Sequence, residues 1–521
     1  MAVQDKMPAY ADIIYPAFNF AGGLNTKSSQ LFLDQQSKFS LRSNQLPICT
    51  NMLRTSSGGL VTRPGRVKLN STPLSPAAGT AEVRSIHELR SAAGVDKIIC
   101  NAGNTVYVWN GASFVSLGTV ATPNTRFHWC QFQDILIGVD GTTNGPIKYD
   151  GGAAIAPLGG TPPTSGTAIA NYRNRVWIIK GRTLYYSALG NAEDWTSVNN
   201  AGSLPIPTTL GQGGTAIIPM WDRLIVYANQ QVFQLEGTSP GTFALKAINL
   251  KYGHSGPPHG VMAAGNDIYF FNQRGLQALS ATESQSEVGE IAYNYASGVI
   301  EPTWQDIDPT NIGNVVVAND VQRNLLVVLC GFTGSQNNQA LVADYYHLNE
   351  DGTPTWSLYN NMPFSSVFQV TSLNNIPEIL FGSYDGYVYR QTTDETDDGT
   401  PISFSMQYVT DGGEPGFIKT WRHAIIFARS QTATITINAS FDFGDRVLST
   451  VLPLNVGDVD TIGSTFRIGV SALGSIVYTQ RKLAIPGHGR HLVLNVSGST
   501  TKQVTIGGFL FFAGLRRAIQ G

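Results

Sequence analysis

Seven segments of the chain repeat one pattern of apolar and polar positions. In each, a run of β-branched or aromatic residues is followed by a short polar turn and a second apolar run, usually with Tyr or Phe. Such runs fit the pleated, half-buried surface of a strand, and the turns supply Gly and Asn, which tolerate positive φ in a hairpin. The pattern predicts seven β-hairpins, which begin at Asp96, Asp134, Asn174, Asp222, Asn266, Arg323 and Pro377.

The spacing of these hairpins predicts their architecture. Successive hairpins start 38, 40, 48, 44, 57 and 54 residues apart, which is near the ~40–45 residues of a four-stranded propeller blade. We therefore expect an all-β protein with a β-propeller over residues 75–400. Seven blades is the central prediction, and six or eight remain open. The alternative is a multi-sheet all-β protein without closed symmetry.

The pattern changes after residue 400. The acidic, turn-rich segment "DETDDGT" at 394–400 is typical of a linker, and the segments that follow it, among them "TATITINAS" and "TFRIGVSA", are typical of strands. Alternation in "TATITINAS" places Ala433, Ile435 and Ile437 on one face of a strand, as expected when that face is buried. Residues 401–521 are therefore predicted to form a separate β-sandwich.

Composition agrees with short strands and tight turns. The 521 residues include 55 Gly and 26 Pro, and only 13% are charged, against about 25% in an ordinary soluble protein. The four cysteines are too widely spaced for a zinc site or a disulfide scaffold, so we expect free, buried thiols. No leader and no membrane-spanning segment is visible, and we expect the chain to fold in a reducing cytoplasm.

Charge is distributed unevenly along the chain. Residues 1–70 carry eight Lys/Arg and three Asp, and residues 401–521 carry eleven Lys/Arg and six Asp/Glu, so each end is +5. Residues 71–400 carry fifteen basic and twenty-seven acidic residues, which is −12. Affinity for nucleic acid comes mainly from Lys and Arg at phosphates, so this middle segment is a poor candidate for tight DNA binding.

Motifs for catalysis or metal binding are weak. His254 and His259 in "GHSGPPHG" are separated by two prolines, which rules out a helical metal pair and favours a turn. The segment "DETDDGT" lacks the ligand spacing of an EF-hand, and no phosphate-binding loop is present. We predict no catalytic residue, no metal and no cofactor. An enzyme with converging carboxylates stays an alternative, with six candidates near the hairpins: Asp134, Asp140, Asp222, Asp267, Asp320 and Asp385.

The segment "GGLVTRPGR" at 58–66 is the strongest candidate site. Pro64 presets φ and Gly65 permits a chain reversal, so the segment predicts a turn. Arg63 and Arg66 flank that turn, and an arginine fork binds carboxylates in bidentate fashion. We predict that Arg63, Pro64, Gly65 and Arg66 form an assembly interface with an acidic surface of a neighbouring subunit or adaptor. The alternative is a solvated turn.

The same stretch carries a family resemblance. Gly22-Gly23, Asn51-Met52-Leu53 and Gly59-Leu60-Val61-Thr62-Arg63-Pro64-Gly65, with later segments such as "NRVWIIKGRTLYYSALGNAEDW" and "KYGHSGPPHGVMAAGNDIYFF", resemble tail-nozzle proteins of short-tailed bacteriophages, also called tail tubular protein B or packaged-DNA stabilisation proteins. The resemblance covers nearly the whole chain in order.

The resemblance implies a virion structural protein, not an enzyme. It implies a homo-oligomeric, six-fold ring below the adaptor or head-to-tail connector and the portal, with tail fibres or spikes as further partners. Viral DNA would pass through the lumen without tight binding, and the protein would be assembled in the host cytoplasm into the virion tail. Three parts are expected: an N-terminal part of a platform domain (1–74), the propeller (75–400) and the C-terminal β-sandwich part of the platform (401–521). A receptor-binding fibre or spike, and a propeller-fold carbohydrate-active enzyme, remain alternatives.

Overall fold

The computed structural model divides the chain into two units of β-structure. Unit 1 comprises Met1–Arg66, Thr355–Tyr359 and Thr393–Gly521, and unit 2 comprises Val67–Pro354 and Asn360–Thr392. The residues that the structure describes are 12–516, except for 34–39, 93, 95, 210, 250, 273, 281–295, 350–351, 372, 374, 394, 414–416, 431–432, 445–446 and 455–477. The expected strand "TFRIGVSA" lies outside them.

The N-terminal segment supplies nine short strands in its described ranges 12–33 and 40–68: β1 (Asp12–Ala17), β2 (Gly23–Leu24), β3 (Ser29–Leu33), β4 (Ser40–Leu41), β5 (Gln45–Leu46), β6 (Ile48–Thr50), β7 (Met52–Arg54), β8 (Leu60–Thr62) and β9 (Arg66–Lys68).

The described residues of unit 2 form seven groups of three or four antiparallel strands, which are called its sheets below; the sixth and seventh groups are parts of one 14-stranded sheet. The first four have four strands each: β10 (Val83–Leu89), β11 (Lys97–Ala102), β12 (Thr105–Trp109) and β13 (Phe114–Thr119); β14 (His128–Phe132), β15 (Ile135–Val139), β16 (Ile147–Tyr149) and β17 (Ala156–Pro157); β18 (Ala168–Tyr172), β19 (Arg175–Lys180), β20 (Thr183–Tyr186) and β21 (Gly202–Pro205); β22 (Gly214–Met220), β23 (Arg223–Ala228), β24 (Gln231–Glu236) and β25 (Ala244–Asn249).

The remaining three sheets of unit 2 follow in chain order: β26 (Val261–Ala264), β27 (Asp267–Asn272) and β28 (Gly275–Ala278); β29 (Val316–Asp320), β30 (Leu325–Cys330) and β31 (Gln339–Leu348); β33 (Phe364–Val370), β34 (Glu378–Ser383) and β35 (Val388–Gln391). Between the last two lies β32 (Pro354–Asn360), whose central residues belong to unit 1. Where the structure describes the chain, its helices include the short α-helix Glu301–Gln305 and the 3-10 turns Pro258–Gly260, Gly298–Ile300 and Pro309–Asn314.

The C-terminal strands complete unit 1: β36 (Thr396–Asp397), β37 (Thr400–Thr410), β38 (Ile418–Arg429), β39 (Ala433–Phe441), β40 (Leu448–Leu454), β41 (Thr479–Gly489), β42 (Leu492–Thr500) and β43 (Thr505–Arg516). N-terminal strands pair with them directly, because β1 and β8 both lie against β43 and β6 lies against β37. The first and last parts of the chain therefore share sheets in unit 1.

Two sheets of unit 1 meet through aromatic side chains. One contains β38, β41 and β43, and the other contains β37, β39, β40 and β42. Tyr408 of β37 stacks on Phe509 and Phe511 of β43, with ring centroids 6.2 and 6.1 Å apart. On β39, Ala433, Ile435 and Ile437 are all buried, so the predicted alternation is confirmed.

All seven predicted hairpins are confirmed as antiparallel pairs: β11–β12, β15–β16, β19–β20, β23–β24, β27–β28, β30–β31 and β34–β35. The first five lie in separate sheets, whereas β30–β31 and β34–β35 belong to one 14-stranded sheet. Their turns use the expected chemistry, since Gly103 and Gly181 have φ of 53° and 56°, which glycine adopts without steric cost. The pattern of apolar runs thus located the strands correctly.

The apolar core of unit 2 lies between neighbouring sheets. One buried cluster joins the first and second sheets through residues such as Ile99 and Trp129, and others join the second to the third, the third to the fourth and the fourth to the fifth. A further cluster joins the first sheet to the seventh, with Val83 against Val370 and Leu380. The first five sheets therefore pack in series, and the seventh packs against the first.

A repeated polar contact accompanies this packing. The penultimate residue of the first strand is Glu, Gln or Asn in five of the seven sheets, and its side chain reaches the backbone of the preceding sheet. We call these the clasp residues: Glu88, Gln131, Asn171, Asn319 and Gln369. The long clasp residues each accept a hydrogen bond from a backbone N–H in the preceding sheet, at the residue that follows the first strand of that sheet. Gln131 accepts from Arg90 N (2.9 Å), Gln369 from Val321 N (2.8 Å) and Glu88 from Thr371 N (2.9 Å).

The two shorter clasp residues, Asn171 and Asn319, bond a backbone carbonyl of the preceding first strand. That carbonyl lies two residues before the position whose N–H the long clasp residues contact. Asn171 Nδ2 donates to the Gln131 carbonyl at 3.0 Å, and Asn319 Nδ2 donates to the Ala263 carbonyl at 3.2 Å. Glu88 belongs to the first sheet and its partner Thr371 to the seventh, so this clasp closes the series. Side-chain length thus selects which backbone group of the neighbouring sheet is satisfied.

Further hydrogen bonds join the ends of unit 2. The hydroxyls of Ser365 and Ser366 each donate to the Val83 carbonyl at 2.6 Å. Residues 69–70 also lie beside the seventh sheet, since Leu69 N donates to the Val388 carbonyl at 2.7 Å and Asn70 Nδ2 donates to the Gly386 carbonyl at 3.1 Å. The beginning of unit 2 is therefore bonded to its last sheet.

All four cysteines are buried and unpaired, which confirms the expectation of free thiols. Among the described residues, no helix reaches the length and apolarity needed to cross a bilayer.

The clasp between the first and seventh sheets yields a stability prediction. Glu88→Ala removes a buried carboxylate that also accepts from the Thr371 hydroxyl and Arg90 Nε, and hydrogen bonds to charged groups contribute about 1.5–3 kcal/mol each. We expect unit 2 to lose at least about 2 kcal/mol of unfolding free energy in urea titrations. The control Glu236→Ala removes an exposed ion pair with Lys246 and should cost less than about 1 kcal/mol. Equal losses would contradict the clasp.

Candidate functional site

The segment "RPGR" lies in unit 1, where it connects β8 to β9. The side chains of Arg63 and Arg66 are only 3% and 7% exposed. Their position follows from the strands on either side, because β8 pairs with β43 and Arg66 lies opposite Asp397 of β36. The two arginines therefore point into unit 1.

Both arginines bind one carboxylate. Arg63 donates from Nη1 to Asp397 Oδ1 at 2.9 Å and from Nη2 to Oδ2 at 2.6 Å, and Arg66 Nη2 lies 3.2 Å from the same Oδ2. The Asp397 side chain is 6% exposed. This bidentate arrangement is among the strongest ion-pair geometries in proteins. We call these three residues the Asp397 cluster.

Asn51 fixes the orientation of Arg63. Its Oδ1 accepts from Arg63 Nε at 2.9 Å, and its Nδ2 donates to the Ser403 carbonyl at 2.7 Å. Asn51 adopts φ of 54°, a left-handed conformation that asparagine tolerates better than most residues. The guanidinium carbon of Arg63 also lies 5.5 Å from the centre of the Tyr359 ring. Two motifs of the family resemblance, Asn51-Met52-Leu53 and Arg63-Pro64-Gly65, thus meet at one cluster.

Gly65 is required for a different reason than the one expected. It does not have positive φ; instead, a Cβ there would lie 2.0 Å from the Thr396 carbonyl oxygen. The backbone of β36 passes so close that no side chain fits. Asp398 N donates to the Arg66 carbonyl at 2.6 Å in the same region. Pro64 and Gly65 therefore let two backbone segments approach.

The structure gives these residues a partner that the sequence did not suggest. We expected Arg63 and Arg66 to meet an acidic surface on another subunit, but their carboxylate is Asp397 of the same unit. The linker expected at 394–400 includes strand β36 and the buried Asp397. A contact between subunits at Arg63, Pro64, Gly65 and Arg66 stays a prediction, and the buried guanidinium groups are occupied within the chain. The sequence offered one signal for this ion pair: the turn at 63–66 is basic and the distant turn at 394–400 is acidic.

Unit 2 contains a second candidate site, a cavity of about 360 Å³. Residues from all seven sheets line it, at or beside the first strands β10, β14, β18, β22, β26, β29 and β33. Most of these are apolar, for example Ile86, Ile217 and Phe368. Among the described lining residues there are two arginines and three histidines, and no Asp or Glu. We call it the central cavity.

The two arginines of the central cavity differ in their partners. Arg84 Nη2 lies 2.5 Å from Glu82 Oε2, so its charge is paired. Arg126 Nη1 is buried without a hydrogen-bond partner. Burial lowers the Arg126 pKa to about 10, so the guanidinium is still charged at pH 7.

Burial keeps the histidines of the central cavity neutral. It lowers the pKa of His87 and of His128 to about 4, and that of His259 well below its usual value, with Arg126 adding to the effect on His259. His128 Nδ1 accepts a hydrogen bond from Ile169 N at 3.0 Å. The neutral ring therefore carries its proton on Nε2.

The other predicted positions have structural partners. His254 is fully buried and contacts the carbonyls of Phe271 and Pro257 at 2.9 and 2.8 Å, and Pro258–Gly260 is a 3-10 turn. Within the described part of the chain, no group of His, Cys, Asp and Glu is arranged to hold a metal.

The six candidate carboxylates do not line the central cavity. Several hold turns instead: Asp140 accepts from Thr142 and Asn144, Asp320 from Arg323, and Asp134 from Ala92 N.

Comparison with known proteins gives no family. No family model matches the chain, and no curated protein matches it. Among solved structures it is similar to the extracellular domain of a putative one-component system from B. thetaiotaomicron, at 14% identity and a TM-score of 0.39 over 69% of this chain and 42% of that one. It is also similar to U3-55K, at 8% identity and a TM-score of 0.39 over 63% and 99% of the two chains. Likeness at this level carries no argument about function.

Truncation at the Asp397 cluster should destabilise unit 1. Removing one partner of a buried pair costs about 3–5 kcal/mol, because the other charge is left uncompensated. We expect Arg63→Ala to reduce the unfolding free energy by that amount and to speed amide exchange in residues 492–516. The exposed control Arg429→Ala should change it by less than about 0.5 kcal/mol. Matching stabilities for the two variants would show that the pair is not needed.

Acid should destabilise unit 2. A histidine with pKa about 4 when folded and ~6.5 when unfolded binds its proton mainly in the unfolded state between these values. Stability is therefore full above pH 6.5 and falls as pH drops towards 4, by up to about 1.4 kcal/mol per pH unit and histidine. His128→Gln should flatten this slope in urea titrations at pH 4.5–7.5. A slope unaffected by His128→Gln would refute the assignment.

Proposed function

We propose that this chain is a subunit of the tail nozzle of a short-tailed bacteriophage. In this role it forms a ring below the adaptor and portal, provides the DNA exit channel and helps to retain packaged DNA. The observation that carries the proposal is that two sequence motifs of the family resemblance meet at one cluster in the fold. Asn51, Arg63 and Gly65 each have a defined part in the Asp397 cluster, so the residues that carry the resemblance also hold unit 1 together.

We further propose that unit 2 is a seven-bladed β-propeller and unit 1 a β-sandwich-like platform. Three features support the propeller: seven hairpins follow one another along unit 2, residues from all seven strand groups border the central cavity, and the first and seventh groups are joined by Glu88 and Ser366. Residues 69–70 beside the last sheet supply the kind of ring closure that a propeller needs. The pairing of β1, β6 and β8 with C-terminal strands supports the platform.

The charge distribution fits a conduit rather than a DNA-binding protein. The acidic middle of the chain lies mostly within unit 2, and a polyanion passes an acidic surface without being held. A six-fold ring is heterologous and closed, so each subunit presents two different complementary faces. Ends of +5 and a middle of −12 offer complementarity that guides assembly more than it sets affinity.

One observation favours the receptor-binding alternative. Trp221 and Tyr346 are 71% and 69% exposed, and both line a groove of about 1020 Å³ in unit 2. Exposed aromatic rings next to polar side chains such as Asn324 provide an apolar face with nearby hydrogen-bonding groups. A fibre or spike would use such a surface for contact with the host.

The assembly state separates these functions. We expect electron microscopy of the purified 56.1 kDa chain, mixed with the adaptor encoded in the same genome, to give six-fold rings on the adaptor. Antibody against the chain should label virion tails between adaptor and tip. Three-fold projections would instead support a fibre, and turnover of a glycan would support an enzyme. Three-fold projections, glycan turnover, or a monomer that does not bind the adaptor would overturn the nozzle proposal.

A further inference from the structure

We propose that the central cavity of unit 2 binds a small carboxylate with an apolar body, and that Arg126 holds the carboxylate group. The proposal does not depend on the nozzle function, because it rests on the cavity alone. Its volume of about 360 Å³ falls within the ~300–1,000 Å³ of small-molecule sites.

Arg126 provides the charge that a ligand would satisfy. Its Nη1 atom is buried and has no hydrogen-bond partner, whereas the neighbouring Arg84 is paired with Glu82. A buried N–H group without an acceptor is costly, and such groups are usually satisfied by a protein group, ligand, ion or water. A carboxylate in the cavity would supply the missing acceptor.

The number of charges around the cavity selects the kind of anion. Because His87, His128 and His259 are neutral at pH 7, they do not add to the positive charge of Arg126. Glu82 pairs with Arg84 and also acts on Arg126, so the two guanidinium groups and this carboxylate leave a net charge of +1. That charge matches a monoanion such as a carboxylate better than a phosphate dianion.

Hydrogen-bond geometry points to the same ligand. The planar fork of an arginine matches the two oxygens of a carboxylate. His128 receives the Ile169 N–H at Nδ1, so its remaining ring proton, on Nε2, is available to donate to an acceptor. A carboxylate can accept from both residues, since it has about four lone-pair sites.

The walls of the cavity define the rest of the ligand. They are formed mainly by aliphatic and aromatic side chains, including Ile86, Ile169, Ile217, Val317 and Phe368. Water removed from such a surface contributes roughly 25 cal/mol per Å² of apolar area buried. A short alkyl chain or a single ring attached to the carboxylate would gain this contribution, and a fully polar acid would not.

The test uses benzoate and hexanoate as probes for the full-length chain at pH 7.5, with ligand-observed NMR and calorimetry as readouts. We expect at least one of the two carboxylates to bind, and the matched neutral alcohols, benzyl alcohol and 1-hexanol, to bind at least about tenfold more weakly. Inorganic phosphate should also bind more weakly. Absence of binding by both carboxylates, equal binding of acid and alcohol, or a preference for phosphate would overturn the proposal.

Variants identify the residue responsible. Arg126→Gln keeps a polar side chain but removes the charge, and should weaken carboxylate binding at least about tenfold. Arg126→Lys keeps the charge without the fork and should be intermediate. The exposed Arg182→Gln in the same unit should bind normally. Circular dichroism and urea titration show whether each variant is folded. Unchanged binding by folded Arg126→Gln would refute the role of this residue.

Discussion

The buried Asp397 carboxylate, shared by two guanidinium groups, is the interaction on which unit 1 depends. Taking three charged side chains out of water is expensive and is repaid only when the geometry satisfies nearly every donor and acceptor. Here Arg63 donates two hydrogen bonds to Asp397 and a third, from Nε, to Asn51. Arg66 forms an ion pair with the same carboxylate. Each partner comes from a different strand or turn, so the cluster also fixes which strands lie together.

Unit 2 is held together by contacts repeated from sheet to sheet, whereas unit 1 depends on one buried ion-pair cluster. Each sheet leaves one apolar face towards the next, and the clusters between faces supply the nonspecific attraction. The clasp residues add direction, because each of them satisfies a particular backbone group on the preceding sheet. Pro219 and Ala263 stand at the equivalent positions of the fourth and fifth sheets, where a side-chain clasp is chemically impossible. The packing of those sheets relies on apolar contact and on other bonds, such as that of Thr215 Oγ1 to the His254 carbonyl.

Local patterns in the sequence predicted local structure well. The seven hairpins and the buried face of β39 follow from alternation and turn residues within a few positions, and the structure has both. The Asp397 cluster was not predicted, because Arg63 and Asp397 are 334 residues apart and an acidic, glycine-containing segment is usually solvated. Arg126 and the histidines of the central cavity were missed for the same reason: they converge only when separate sheets come together. The role of Gly65 was predicted from torsion angles, although the determining factor is the nearby backbone of β36.

In unit 1 the turn at residues 63–66, which carries the family resemblance, is tied to the C-terminal segment through Asp397. A double-mutant cycle of Arg63→Ala and Asp397→Ala, measured by urea unfolding, isolates the energy of this one contact. We expect a coupling energy of about 2–3 kcal/mol, within the range found for residues in one buried network. A coupling within about 0.5 kcal/mol of zero, as found for distant independent sites, would contradict it.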